Sequence, residues 1–225
     1  MQNNPYHRKQ ENMKKIADIR KEYQLKSLLE KDVHSNPIQH FTQWWNDAIK
    51  SEIDEVNAMS LSTVDEKNKP SARIVLLKGY DEKGFVFFTN YESKKGKDVA
   101  YNPNVCLVFY WKELERQVKI EGIVEKLSDR DNDTYFYSRP PGSRIGAWSS
   151  PQSKVIKNRE VIEKNVEKCA SKFKSGEIPR PPHWGGYVVK PQLIEFWQGR
   201  PSRLHDRIQY HLQKKNKWKI ERLAP

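Results

Sequence analysis

Residues 104–127 read NVCLVFYWKELERQVKIEGIVEKL. Two runs rich in β-branched and aromatic residues, 104–111 and 115–127, flank a tight polar turn, which predicts two long paired strands. Upstream, 57–64 (NAMSLSTV), 71–80 (SARIVLLKGY) and 85–89 (FVFFT) have the same character, separated by the turn sequences DEKNKP and DEKG. Downstream, 184–190, 192–198, 207–212 and 217–223 read as further strands. Helical spacing predicts helices over 11–31, where Ile16, Ile19 and Tyr23 form a thin apolar stripe, and over 38–51, with Phe41, Trp44, Trp45, Ala48 and Ile49. Shorter helices are expected over 93–102, from an N-cap at Ser128 to Arg139-Pro140-Pro141-Gly142, and over 157–174. The βα alternation of a doubly wound sheet is missing. The pattern predicts a mainly β, α+β fold: an antiparallel barrel decorated by helices.

The chain of 225 residues is 36% hydrophobic, 11% aromatic and 31% charged. It is too polar for a membrane protein and too aromatic for a disordered one. No apolar run approaches the length of a spanning helix, and MQNNPYHRKQ offers no signal-peptide core. Cys106 and Cys169 sit in no zinc-type spacing, so a reduced, cytoplasmic protein is expected. The net charge of +12 points to an anionic partner, either nucleic acid or a phosphorylated small molecule. Most basic residues are interleaved with acids instead of gathered in a block.

Nucleotide-binding glycine loops, nucleophile elbows and HExxH are all absent, and none of the six histidines stands at metal-ligand spacing. What remains is a set of basic residues beside strand ends. Arg73 and Lys78 bracket a strand that is apolar on both faces, so a central strand is expected, with cations that need partners. Ser93-Lys94-Lys95-Gly96-Lys97 opens a helix just after a strand, which suits either a phosphate seat or an ordinary basic cap. Tyr135, Arg139, Ser143 and Arg144 gather phenol, guanidinium and hydroxyl donors across a helix end and loop, and Gln152-Ser153 follows a further loop. Past an aromatic strand end, GRPSRLHDR packs three arginines and a histidine into the eight residues 200–207.

The runs RIVLLKGYDEKGFVFFTN (73–90), WKELERQVKIEG (111–122), YFYSRPPGSRIGAWSSPQS (135–153), IEFWQGRPSRLHDR (194–207) and WKIERLAP (218–225) together resemble the pyridoxine/pyridoxamine 5′-phosphate oxidase family. The resemblance runs from about residue 20 to residue 225. It implies a split β-barrel that binds FMN at the interface of a homodimer. It implies oxidation of pyridoxamine 5′-phosphate or pyridoxine 5′-phosphate to pyridoxal 5′-phosphate by O2, with release of H2O2 and, from the amine, ammonia. No metal, nucleic acid or membrane partner is implied. A flavin carries the redox chemistry, leaving binding, orientation and electrostatics to the protein.

By the same resemblance, FMN contacts fall on Arg73, Ile74, Val75, Leu76, Leu77 and Lys78, on Phe88 and Thr89, on Lys94 and Lys95, and on Gln117, Gln152, Ser153, Trp197 and Arg207. Lys94 stands where such sequences often carry Arg, and so would bind as a point charge instead of a fork. The substrate set is Arg20, Lys21, Glu22 and Tyr23 from a lid, Lys78, Tyr135, Arg139 and Ser143 around the phosphate, and Arg203, Leu204 and His205 at the ring. Arg203 and His205 are the expected catalytic pair. Residues 1–36 are expected to form an N-terminal arm and lid helix, and 37–225 the FMN-binding barrel with its C-terminal dimerisation segment. The same fold could also carry a non-catalytic flavin or haem binder, or a nucleic-acid-binding barrel.

Overall fold

The computed structural model describes Ile16, Asp18, Ile19 and residues 21–174 and 176–225. Among the described residues, nine strands form one antiparallel sheet: β1 Ala58–Val64, β2 Pro70–Leu76, β3 Gly79–Asp81, β4 Gly84–Asn90, β5 Asn104–Trp111, β6 Arg116–Lys126, β7 Trp184–Gln198, β8 Asp206–Gln213 and β9 Lys217–Leu223. The order is β2-β1-β5-β6-β7-β4-β3, with β9 paired to β8 and β8 to β7. The long β7 divides its partners. Its first half pairs with β4 (Val189 opposite Phe85) and its second half with β8 (Phe196 opposite Ile208), while β6 runs along both. The sheet thus splits into two arms and curls, bringing β2 back against β4.

Period-two alternation sets the inside. Val105, Leu107, Phe109 and Trp111 of β5 and Val118 and Ile120 of β6 are buried, and Asn104, Cys106, Val108 and Tyr110 face the other way. Helix α1 (Pro37–Lys50) closes the barrel by inserting Phe41 and Trp44, which are 0% and 2% exposed. Its start is fixed by Asn36, whose Oδ1 accepts the Ile38 N–H at 2.7 Å, and by Pro37 in the first turn. The other helices are α2 (Lys94–Tyr101), α3 (Asp129–Ser138), α4 (Pro141–Ser149) and α5 (Glu160–Lys172). None of the described residues forms a helix long and apolar enough to cross a membrane.

The structure corrects four expectations. Of the helix expected over 11–31, residues 11–15, 17 and 20 lie outside the described residues, and 21–29 is an extended strap followed by a single 3-10 turn at Glu30–Asp32. Its apolar stripe was too thin to bury a helix: Ile19 and Leu25 are exposed. The run 71–80 is not one central strand. β2 ends at Leu76, lies at the edge of the sheet and leaves Ile74 66% exposed. Residues 141–149 form a helix, not a loop; Pro141 occupies a first-turn position that needs no N–H. The strands expected at 184–190 and 192–198 are one, because Pro191 sits at a bulge opposite Gly122. A Cβ on Gly122 would run into the Lys190 carbonyl.

Candidate active site

A cleft of about 690 Å³ opens where β2 and β4 meet α3 and α4. Ile74, Val75, Leu76 and Lys78 form one wall, and Phe88, Thr89 and Asn90 at the end of β4 form another. Lys95 enters from the first turn of α2, Tyr135 and Arg139 from the end of α3, Ser143 from α4, and Gln152 from beyond it. The Tyr135 ring stacks on Phe88 at 3.9 Å, Phe88 on Trp184 at 5.3 Å, and the Arg139 guanidinium lies 4.6 Å from the Trp184 ring centre. This aromatic shelf holds Arg139 by cation–π attraction, leaving Nη1 buried without a hydrogen-bond partner. Arg144 Nε is orphaned in the same way. On the cleft wall, the buried Arg139 donor without an acceptor among the described residues suits a site built for an anion.

The second cationic group lies at the β2–α2 side. Arg73 donates to the Leu61 carbonyl at 3.1 Å, Thr63 Oγ1 at 2.7 Å and Ser71 Oγ at 2.7 Å, with Asp98 at 3.7 Å. Burial, then the charge of Arg73, pushes the Lys95 ammonium below its ordinary value. Two cations held this close favour an anion between them. Lys94 points elsewhere. Its Nζ pairs with Asp98 at 3.0 Å and Asp65 at 3.5 Å, and with Ser153 it lines a neighbouring cavity of about 400 Å³ that shares only Gln152 with the cleft. Leu77 is 5% exposed in the core, so only its backbone is available to a ligand.

The remaining expected residues gather around a separate cavity of about 550 Å³, lined by Ile19, Lys21, Glu22, Tyr23, Arg200, Ser202, Arg203 and His205. No lining residue is shared with the first cleft. Ser202 and Arg203 both hold positive φ, 56° and 62°, a conformation L-residues rarely adopt and one that concentrates at ligand-binding loops. Leu204 is 68% exposed beside them. Tyr23 meets Trp197 edge-on at 5.7 Å and His205 at 5.9 Å. Trp197 also stands opposite Gln117 on β6 and Arg207 on β8, so the three share one row on the outer face of the sheet. Arg207 is tied to Glu195 at 2.7 Å, and Lys119 reaches the other oxygen of the same carboxylate at 3.2 Å. Arg20 lies outside the described residues.

Sequence reading missed two residues of the first cleft and one beneath the strap. Asn90 and Trp184 line the first cleft. Trp184 heads a strand straight after a proline run, a position that can signal a turn-side aromatic. Glu115 is 2% exposed beneath the strap, and nothing in the sequence distinguishes it from its solvated neighbours.

Residues 45–173, more than half of the chain, match the family model described as pyridoxamine 5′-phosphate oxidase. Residues 184–225 match the pyridoxine 5′-phosphate oxidase C-terminal dimerisation region. The chain is 56% identical over 210 residues to a pyridoxine/pyridoxamine 5′-phosphate oxidase of Cyanothece sp., covering 93% of this chain and 98% of that one. It is 55% identical over 214 residues to its namesake in Cupriavidus necator, covering 95% and 100%. Among solved structures, PhzG from Burkholderia lata, in complex with tetrahydrophenazine-1-carboxylic acid, superposes with a TM-score of 0.83 at 27% identity, over 89% of this chain and 99% of that one. An FMN-binding protein from Nostoc punctiforme shares the fold at a TM-score of 0.68 and 16% identity, over 86% and 100%. With its cleft, its curled sheet and these matches along nearly its whole length, the chain belongs to the pyridoxine/pyridoxamine 5′-phosphate oxidase family.

Proposed function

We propose that this protein oxidises pyridoxamine 5′-phosphate and pyridoxine 5′-phosphate to pyridoxal 5′-phosphate with FMN as cofactor and O2 as electron acceptor. The observation that carries the reading is the seat of Lys78, Tyr135, Arg139 and Ser143 in one cleft, with an orphaned buried donor on Arg139. That set suits a tetrahedral dianion. A second seat for the FMN phosphate is assigned to Arg73 and Lys95, supported by the lowering of the Lys95 ammonium by burial and then by the charge of Arg73, with Gln152 beside it. The backbone of 74–78 and the side chains of Phe88 and Thr89 would line the ring. Lys94 and Ser153 are assigned to the outer edge of that seat, where Lys94 is already neutralised by two aspartates.

When bound, the flavin supplies the redox chemistry, taking two electrons from the substrate and returning them to O2 to give H2O2. The chain's own part is positioning. Arg203 and His205 are assigned to the substrate ring and its reacting substituent, Lys21, Glu22, Tyr23 and Leu204 to the cover over it, and Gln117, Trp197 and Arg207 to the flavin edge. Arg203 holds the substrate, and neutral His205 offers a ring N–H.

These two groups line separate cavities of one chain. A homodimer resolves the division if the outer face of one copy covers the cleft of the other. The exposed edge strand β2 and the match to a dimerisation region support that arrangement. We assign residues 37–225 to the FMN-binding unit and 1–36 to an arm that reaches the site. The reading is tested by adding pyridoxamine 5′-phosphate to FMN-loaded protein in air. Pyridoxal 5′-phosphate and H2O2 should appear together, and an absence of both rejects it.

A further inference from the structure

The extended strap is fastened mainly by side chains that line neither cavity, with Arg200 of the second cavity donating to the Lys26 carbonyl at 3.3 Å. Leu28 N donates to Asp206 Oδ2 at 3.0 Å, and Arg222 reaches the Leu28 carbonyl at 2.8 Å and the Glu30 carboxylate at 2.6 Å. The end nearest the site is held by Glu115 alone among these carboxylates. Glu115 Oε2 accepts the backbone N–H groups of Gln24 at 2.9 Å and Leu25 at 3.2 Å, while Oε1 pairs with Lys21 at 3.1 Å. The residue is 2% exposed and sits in the turn between β5 and β6 at φ 55°, a left-handed conformation that favours glycine or asparagine. A glutamate kept there serves through its side chain.

The backbone of Glu115 ties the same point to the opposite wall. Its carbonyl accepts the Gly199 N–H at 2.7 Å and Gln198 Nε2 at 3.2 Å, and Gly199 begins the loop that carries Arg203 and His205. Tyr23 lies directly on Gly199: a Cβ there would stand 2.6 Å from Tyr23 Cγ. One buried residue therefore joins the strap, through its carboxylate, to the Arg203–His205 loop, through its carbonyl.

We propose that Glu115 is a positioning residue, a latch whose carboxylate holds the strap so that Tyr23 lies across Trp197 and His205 over bound substrate. It touches neither substrate nor cofactor. This inference rests on the reading of the Arg203–His205 cavity as the substrate ring site.

Two readouts on FMN-loaded protein test it. In Glu115→Ala the KM for pyridoxamine 5′-phosphate should rise about ten-fold or more, while kcat stays within about three-fold and flavin content is unchanged, because the strap contributes binding more than chemistry. Trypsin should cut after Lys26 about ten-fold faster than in the parent, read by mass spectrometry of the released N-terminus. Glu115→Gln keeps an acceptor oxygen for the two N–H groups and loses only the Lys21 pair, so it should recover most of both effects. Gly199→Ala should reproduce the Ala phenotype with Glu115 intact, by pushing Tyr23 off. Parent KM and parent cleavage in Glu115→Ala overturn the latch. If that variant does not fold, Gly199→Ala at parent KM and parent cleavage overturns it equally. Should the parent fail to oxidise the substrate at all, the functional reading falls while the cleavage rates still decide whether Glu115 holds the strap.

Discussion

The backbone N–H of Arg200 donates to His205 Nδ1 at 3.1 Å. That bond requires Nδ1 to be an acceptor, so the neutral ring carries its proton on Nε2, the nitrogen free to address a ligand. Burial, and then the charge of Arg203, hold the His205 pKa below its ordinary 6.5. The loop thus keeps a neutral donor next to a permanent cation.

Arg203→Ala should move the His205 pKa upward, because repulsion of the imidazolium is removed and only burial remains. Titration of the His205 ring by NMR reads the shift. The same variant should keep its FMN yet slow anaerobic flavin reduction about a hundred-fold, roughly 2.7 kcal/mol of barrier. An unmoved pKa and a parent reduction rate would remove Arg203 from the catalytic pair.

The two anion seats are expected to fail separately. Arg139→Ala should raise the KM for phosphorylated substrate roughly ten- to a hundred-fold, the worth of about 1.5 to 3 kcal/mol for a charge-assisted contact, with flavin content unchanged. Arg73→Ala and Lys95→Ala should lose FMN instead, measured as flavin per chain after gel filtration. Equal flavin loss in all three would dissolve the partition.

Dimerisation is tested at Ile74, whose side chain is 66% exposed on the edge strand. The parent should sediment at twice its chain mass of 26.6 kDa. Ile74→Glu should shift it towards the single chain and weaken FMN binding in parallel, since a charge on that edge opposes pairing. A variant that stays dimeric places the interface elsewhere.

How far the sequence carried these conclusions varies by element. β5 (104–111) and β9 (217–223) have the bounds that alternation predicted, and α3 starts behind Ser128 as its cap chemistry requires. Prolines caused two of the misreadings. Pro141 starts a helix and Pro191 is accommodated by a bulge, and both look like breaks to local reading. The exposed edge of β2 was illegible because an apolar strand at the edge of a sheet has the same composition as one in its middle. Lys94 shows a further gap: its aspartate partners lie one turn along α2 and across the fold in the turn before β2, so basic spacing alone did not show that its charge is already met. Glu115 had no signal because its partners are backbone groups 90 and 91 positions away.

Buried His40 predicts how stability responds to acid. Its ring nitrogens have no partners, Phe196 packs edge-on at 4.5 Å, and burial, with the charges of His34 and Arg116, lowers its pKa from 6.5 to about 4. A depressed folded-state pKa means the contribution is present above pH 6.5 and lost as pH falls towards 4, because the unfolded chain takes up a proton the folded chain refuses. The slope is at most about 1.4 kcal/mol per pH unit. Urea unfolding at pH 7 and pH 4.5 should show the parent losing roughly 2 kcal/mol more than His40→Phe, which fits the same aromatic cage. Equal losses would show that His40 does not set the acid limit.

The cleft and the Arg203–His205 loop together should present pyridoxamine 5′-phosphate to a bound flavin. Anaerobic mixing of that substrate with the FMN-loaded protein measures this in a single turnover. The visible flavin absorbance should bleach with one pyridoxal 5′-phosphate formed per flavin, and air should restore the colour. Flavin that keeps its oxidised spectrum at saturating substrate would contradict it.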